Sequence, residues 1–322
     1  RTQLFRPPAP WTPKAGRTQL SSGEYAGAVD IAIGLDFGTS YTKAAVGFMD
    51  KIFPVTWDGV SSCAPNYLLP SEYTELANGD VFLGQHEMAT EDQVCSDLKL
   101  PFINPAVSSA SIQRASVFVA LVLRYVRAWV YRRHGAKIGR RLIRWQLNIG
   151  APSDGLEHER LKKAYTTLAE SAWRLSMSTD LTRAAGSPAE ASVRGKPLQD
   201  LVGADVFPEF VAQMAGYMKS PQVQPGLHAL IDVGGGTLDV VTFIVHKVHD
   251  EDTFPFLVPK ICPLGTHGLI QNRLVGATNV SALDPVDELA PVDDAPAFAS
   301  KACIDVAHVL ERDTLFSRAI SN

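Results

Sequence analysis

The fold is decided by two stretches of sequence, Asp36-Phe-Gly-Thr-Ser-Tyr41 and Asp232-Val-Gly-Gly-Gly-Thr-Leu-Asp239. Each stretch stands within a longer apolar run, from Asp30 to Phe48 in the first case and from Leu230 to Val245 in the second. Apolar residues on both sides of a short glycine-containing segment are typical of a strand, a tight turn and a second strand. The sequence therefore predicts the same hairpin once in each half of the chain.

Glycine turns of this kind are suited to binding phosphate. Backbone N–H groups surround a phosphate only where no side chain blocks the approach, and glycine leaves that approach open. Thr39, Ser40 and Thr237 add hydroxyl donors. Either turn alone is compatible with an ordinary glycine turn, but two at equivalent places favour a shared phosphate site. The turn residues expected at the phosphates are Gly38, Thr39, Ser40, Tyr41, Gly234, Gly235 and Gly236.

An aspartate ends the first strand of each hairpin. Asp36 and Asp232 would face one pocket from opposite sides. Mg²⁺ is commonly held by one or two carboxylates together with waters and substrate phosphates, and it neutralises the charge that develops in phosphoryl transfer. We therefore expect these two aspartates to be the metal ligands.

The segments between the hairpins read as helices and one buried strand. Apolar residues at helical spacing predict a long helix over Ser116–His134, and the run Gln146–Pro152 predicts a buried strand. A further helix follows, on which Leu161, Tyr165 and Leu168 mark the apolar face. This order of elements indicates a mixed α/β protein.

These motifs resemble the nucleotide domain of the seventy-kilodalton heat-shock chaperones, a branch of the actin, hexokinase and heat-shock ATPase superfamily. The two hairpin turns are similar to that family's two phosphate motifs. Leu147-Asn-Ile-Gly-Ala-Pro-Ser-Asp-Gly155 and the helix Glu157–Trp173 resemble its first connecting segment, and Pro208–Tyr217 resembles a segment whose glutamate begins a helix. The resemblance implies a duplicated, ribonuclease H-like actin fold with two lobes around a nucleotide cleft.

The resemblance also implies catalytic roles. Glu209 corresponds to the glutamate that orients the attacking water, a role that suits a carboxylate. Ser96-Asp-Leu-Lys-Leu100 is similar to the segment whose lysine reaches the γ-phosphate, which gives Lys99 that role; an isolated surface lysine is the alternative. Asp232 and Thr237 complete the expected catalytic set. The cofactors implied are ATP or ADP and Mg²⁺.

The match to the family weakens towards the C-terminus. Leu264–Leu274 resembles the stretch that follows the second hairpin, and it makes Gly265 a further expected phosphate contact. The family's adenosine motif has no counterpart after Gly276, and its adenine-clasping helix has none within Ser300–Asn322. The C-terminal part of the domain is therefore expected to be incomplete.

The expected domain organisation follows from these matches. Residues 1–27, rich in Pro and Thr, are expected to form an extended arm. Lobe I is expected over 28–224, with a smaller inserted subdomain at about 65–139, and lobe II over 225–322. The acidic run Asp284–Asp294 reads as a solvated loop.

Composition excludes several classes of protein. The 322 residues are 46% hydrophobic and 20% charged, with a net charge of −4, which is ordinary for a soluble protein and does not suggest nucleic acid. No apolar run has membrane-spanning length and no signal peptide is recognised, so a cytoplasmic protein is expected. The basic residues between Arg124 and Arg144 are either a solvated helix end or a surface for an acidic partner.

The function expected from the sequence is Mg²⁺-dependent ATP binding and slow hydrolysis that closes two lobes, with a protein partner reading the closure. No peptide-binding domain is recognised. One alternative is a bacterial actin-like filament ATPase of the plasmid-segregating or cytoskeletal kind, and another is a catalytically inactive scaffold with the same fold. A sugar kinase would need an aspartate base, for which Asp154 is the candidate.

Overall fold

A computed structural model describes residues 25–61, 66–87, 89–103, 106–152, 159–178, 181, 201–248, 251–262 and 265–266. The chain divides into two compact units, Arg1–Pro263 and Leu264–Asn322. The boundary expected at residues 224/225 lies inside the first unit. Most of the N-terminal arm, the acidic run 284–294 and Asp154 lie outside the described residues.

The first unit is a mixed α/β structure. Its described helices are α1 (Ser109–Ile138), α2 (Glu159–Met177) and α3 (Glu209–Met218), with 3₁₀ turns at Glu91–Gln93 and Leu100–Ile103. Its described strands are β1 (Ala28–Phe37), β2 (Tyr41–Phe48), β3 (Lys51–Pro54), β4 (Leu69–Pro70), β5 (Tyr73–Glu75), β6 (Val81–Leu83), β7 (Val94–Cys95), β8 (Leu142–Ala151), β9 (Leu201–Pro208), β10 (Gly226–Val233), β11 (Leu238–Val248), β12 (Glu251–Thr253) and β13 (Phe256–Cys262).

The main sheet has the strand order β3-β2-β1-β8-β9, and β4 pairs with β2. The predicted first hairpin is confirmed as an antiparallel β1–β2 pair, and the predicted buried strand is β8, which lies parallel to β1. Strand β9 lies parallel to β8. Because β1, β8 and β9 run in one direction, their carboxyl ends meet at one edge of the sheet. That edge carries the first glycine turn and the start of α3.

Helices α1 and α2 pack together and enclose one face of this sheet. Every second residue of β1 from Ile31 to Phe37 is buried there, as a half-buried strand requires. The predicted apolar face of α2 is confirmed, since Leu161, Tyr165 and Leu168 are all buried. Helix α1 is longer than the predicted 116–134 because Ser108 caps its first turn and the chain turns away only at Gly139.

Two smaller sheets complete the described structure. The second hairpin is confirmed as the antiparallel pair β10–β11; β12 and β13 also pair with β11. Phe210 and Met214 of α3 pack against Val241 and Phe243 of β11. The third sheet, β6-β5-β7, has three short strands and lies in the segment expected as an inserted subdomain.

The sequence predicted that the basic residues between Arg124 and Arg144 are exposed. This prediction is wrong for Arg124 and Arg127. Arg124 and Arg127 are fully buried, and both donate hydrogen bonds to the carbonyl oxygen of Ser176, at 2.9 and 3.0 Å. The Arg127 guanidinium also lies 4.8 Å from the Trp173 ring centre. These two cations therefore hold the end of α2, where unpaired helix carbonyls favour positive charge.

Among the helices in the described ranges, none combines the length and the apolar character that a membrane crossing requires.

Candidate functional site

The first turn is built so that only glycine fits at its start. Phe37 pairs with Thr42, so four residues lie between the last paired positions of the two strands. A Cβ atom on Gly38 would lie 2.2 Å from the carbonyl oxygen of Tyr41, which is an atomic overlap. Ser71 stabilises this turn with two hydrogen bonds. Its hydroxyl donates to the Gly38 carbonyl at 2.8 Å, and its N–H donates to the Ser40 carbonyl at 2.9 Å.

The second turn has the same length and strand register as the first. Val233 pairs with Leu238, so four residues again lie between the last paired positions, and the Gly234 N–H donates to the Thr237 carbonyl at 2.8 Å. Asp36 and Asp232 occupy the same position, one residue before the last strand pair of each hairpin. The equivalence that the sequence predicted is thus confirmed at the level of strand register.

The two turns lie against each other. A Cβ atom on Gly235 would come within 2.6 Å of the Ser40 hydroxyl oxygen and 3.3 Å of the Thr39 Cβ. One on Gly236 would come within 3.0 Å of the Thr39 hydroxyl oxygen and 3.0 Å of a Leu100 methyl group. The triple glycine therefore serves close approach between the hairpins. Tyr41, also expected at the phosphates, begins β2 with its side chain exposed.

Lys99 and Glu209 form an ion pair beside these turns. Their nitrogen and oxygen atoms lie 2.5 Å apart, and the side chains are only 9% and 15% exposed, so the surface-lysine alternative for Lys99 is wrong. Glu209 is the first residue of α3 and follows β9 directly. It packs over Gly150 of β8, where a Cβ atom would lie 2.9 Å from the Glu209 Cγ.

The two expected metal ligands have different neighbours. Asp36 accepts a hydrogen bond from Lys43 at 3.0 Å, and Asp232 accepts one from Gln213. Burial lowers the pKa of Lys43, but Asp36, with smaller contributions from Asp232 and Glu209, outweighs burial and raises it above the usual value. Lys43 thus stays charged among three carboxylates.

The residues present fit a Mg²⁺ ion bound with its waters and a phosphate. Within the described ranges no three His, Cys, Asp or Glu side chains are arranged as a complete metal cage. Mg²⁺ seldom uses such a cage, because it retains water ligands and takes one or two carboxylates. An unpartnered buried oxygen, Oδ1 of Asp239, adds to the acceptors on the second hairpin.

Asp239 is the site residue that sequence reasoning missed. It pairs directly with Asp232 across the second hairpin and is 8% exposed. Burial and the charge of Glu209 raise the pKa of its carboxyl to about 6, although the Thr237 hydroxyl and Lys99 act in the opposite direction. Its place at the end of the quoted second motif was the available signal.

The remaining expected contact, Gly265, is buried in the second compact unit, of which residues 265 and 266 are described.

An open crevice of about 630 Å³ lies at the start of β1, at the end of that strand opposite to the first glycine turn. It is lined by Asp30, Gly47, Ile52 and Arg144 among others, and it contains none of the residues named for the phosphates.

No protein-family model matches the sequence, and no curated protein matches it.

Proposed function

We propose that the chain binds ATP with Mg²⁺ at the two glycine turns and hydrolyses it slowly, in an actin-like duplicated fold of the heat-shock chaperone branch. One observation carries the proposal: two turns with identical strand register, each preceded by an aspartate, lie against each other next to a buried lysine–glutamate pair. An ordinary glycine turn needs neither the second copy nor the contact between the copies.

Each group has a chemical task in this proposal. The backbone N–H groups of the turns would hold the phosphates, and Lys99 would supply positive charge to the terminal phosphate. Asp36 and Asp232 would hold Mg²⁺, which supplies charge neutralisation when bound. Glu209 would accept a hydrogen bond from the attacking water, and the ion pair with Lys99 at the start of α3 holds its carboxylate in place.

Nucleotide held between two lobes would draw them together, and we propose that a protein partner reads that closure. Both hairpins would have to contact one nucleotide for this to occur. The contact of Gly235 and Gly236 with Thr39 and Ser40 supports such sharing, because it brings the two turns within reach of the same phosphate group.

A melting experiment tests the proposal on the purified chain. ATP with Mg²⁺ should raise the melting temperature, because a ligand that binds only the folded state stabilises it. Glu209→Ala should retain most of that increase and lose phosphate release. A melting temperature unchanged by saturating ATP and Mg²⁺ would refute ATP binding, while binding without any phosphate release would favour the inactive scaffold.

One observation favours the filament-forming alternative. Among the described residues, one edge of β10 pairs with no strand, and Leu227, Ile231 and Val233 on that strand are 70%, 64% and 59% exposed. An apolar edge strand is a surface on which a second chain can pair. Light scattering that rises when ATP is added, and pelleting of the chain on ultracentrifugation, would support a filament.

A further inference from the structure

Strand β10 is an edge strand that lacks the usual protection against pairing with a second chain. Among the described residues, one of its edges pairs with no strand. Native proteins commonly blunt such an edge with lysine, proline or a β-bulge. These devices are present on the other side of β11, because β13 contains Pro259 and Lys260 and its register shifts between Thr242 and Phe243. Strand β10 has neither residue type and pairs with β11 without a shift, so its free edge is open to pairing.

The pairing with β11 fixes which backbone groups of β10 point to the free edge. The Gly234 N–H donates to the Thr237 carbonyl, and hydrogen-bonded pairs alternate with non-hydrogen-bonded pairs along an antiparallel ladder. By this alternation His228, Leu230 and Asp232 are bonded to β11. The N–H and C=O groups of the intervening residues point to the free edge, and the side chains of these residues are exposed on the outer face: Leu227, Ala229, Ile231 and Val233.

Two copies of β10 complement each other when they run antiparallel about a two-fold axis at Leu230. Leu227 then lies opposite Val233 of the second copy, and Ala229 lies opposite Ile231 of the second copy. All four have N–H and C=O groups at the free edge, so a ladder of hydrogen bonds can form along the strand. Their exposed apolar side chains meet on the outer face, which removes apolar surface from water.

Charge favours this register over its neighbours. Asp232 lies opposite His228 of the second copy, which gives an opposite-charge pair when the imidazole is protonated. A shift by two residues would put Asp232 opposite Leu230 or Gly226 instead. A shift by one residue would set N–H groups at the free edge opposite residues whose own N–H groups are already bonded to β11. The axis at Leu230 therefore satisfies the backbone, the apolar side chains and the charges together.

We propose that the chain forms a two-fold homodimer in which β10 pairs antiparallel with β10 of a second copy. Such a contact uses the free edge of both copies and closes on itself, so it produces a dimer and no filament through β10. The inference goes beyond the proposed function and involves no nucleotide. Because Asp232 is also an expected Mg²⁺ ligand, the tests are made without nucleotide and without metal.

Cysteine cross-linking tests the register. Leu230→Cys puts two cysteines opposite each other in a non-hydrogen-bonded pair, where Cα atoms lie about 4.5 Å apart and a disulfide fits. We expect mild oxidation to link most chains into dimers on a non-reducing gel, above the background of the wild type with its four native cysteines. Leu227→Cys is the matched control, because its two cysteines would lie roughly 20 Å apart along the paired strands and stay unlinked.

A second variant allows for a loss of stability in Leu230→Cys, since Leu230 packs against the cluster that contains Phe210. Leu227→Cys/Val233→Cys changes two exposed side chains, and each new cysteine lies opposite the other in the second copy. The double variant should therefore cross-link although Leu227→Cys alone does not. Cross-linking of Leu227→Cys as strong as that of the double variant, or none above wild type in both the double variant and Leu230→Cys, would overturn the inference.

Light scattering on a sizing column measures the mass in solution. The wild type should have twice the chain mass of 34.9 kDa at micromolar concentration. Ile231→Lys puts a lysine on the free edge and should raise the dissociation constant of the dimer at least about tenfold. Ile52→Lys is the matched control, because Ile52 is equally exposed on the edge strand β3, and this variant should stay dimeric.

Three results of the mass measurement would overturn the inference: a monomeric wild type, an Ile231→Lys variant as dimeric as Ile52→Lys, or a mass that grows beyond two chains. The last of these would support a filament. Failure of the wild type to bind ATP would refute the proposed function and leave the masses and cross-links unaffected.

Discussion

The two hairpins have an aspartate at the same position, but the residue paired with it across the hairpin is a lysine in the first and an aspartate in the second. In the first, Asp36 pairs with Lys43, and the two side chains are about half exposed. In the second, Asp232 pairs with Asp239, which is buried and has a raised pKa. The first hairpin thus pairs its carboxylate with its own lysine, whereas the second places two carboxylates opposite each other and takes balancing charge from Lys99, outside the hairpin. Two hairpins of the same strand register therefore differ in their electrostatics.

Replacing Lys99 by methionine tests this difference most strongly. The change leaves Glu209 buried without its cation and Asp239 without a compensating charge, so the free energy of unfolding should fall by about 3 kcal/mol. Chemical denaturation measures this. The double variant Lys99→Met/Glu209→Gln should recover most of the loss, because it removes both charges.

Lys43→Met is the matched control on the first hairpin. Its ion pair is exposed, so its removal should cost less than about 1 kcal/mol. Equal losses for Lys43→Met and Lys99→Met would contradict the contrast between the hairpins.

Gly38 and Gly234, the first residues of the two turns, should lose different amounts of stability when each is replaced by alanine. Gly38→Ala puts a Cβ atom 2.2 Å from a backbone oxygen, whereas the nearest atom to a Cβ on Gly234 is 3.3 Å away. We expect Gly38→Ala to lower the free energy of unfolding by about 2 kcal/mol and Gly234→Ala by less than about 1 kcal/mol. Gly135→Ala on α1, where a Cβ atom meets nothing within 4 Å, controls for the substitution itself. A larger loss for Gly234→Ala would show that the turns differ in some other way.

Asp239 on the second hairpin should make the free energy of unfolding depend on pH. Its carboxyl has a pKa of about 6 in the folded chain against an ordinary 3.8, so the folded state binds the proton more tightly. The contribution of Asp239 therefore makes the protein less stable as pH rises from about 4 to about 6. Asp239→Asn removes this cost and should stabilise the protein at pH 7 by roughly 1–2 kcal/mol, allowing for solvent screening.

Denaturation of wild type and Asp239→Asn at pH 4 and pH 7 measures that difference. The exposed Asp92 provides the control, because Asp92→Asn should leave the wild-type pH dependence unchanged. If Asp239→Asn shows the same pH dependence as the wild type, the raised pKa is refuted.

Elements with a strong local pattern were predictable from the sequence. Both hairpins, β8 and the apolar face of α2 follow from alternation or helical spacing, and α3 begins at Glu209, where the resemblance placed the start of a helix. Strand β9 was not predicted, because Gly203, Asp205 and Pro208 interrupt its apolar residues.

The charge properties of the site were less accessible, because they arise from tertiary contacts. The sequence places Arg124 and Arg127 among surface charges, but in the folded chain they donate hydrogen bonds to a carbonyl at the end of α2. Asp239 acquires its raised pKa only when folding buries it near Glu209.

Calorimetric titration of the chain with ATP, with and without Mg²⁺, tests the central claim most directly. We predict saturable binding of one ATP per chain that weakens at least about tenfold when Mg²⁺ is chelated or when Asp232→Asn removes one predicted ligand. Gly135→Ala should bind like the wild type. Absence of binding heat at all ATP concentrations up to about 1 mM, at two temperatures, would contradict a nucleotide site at the two turns.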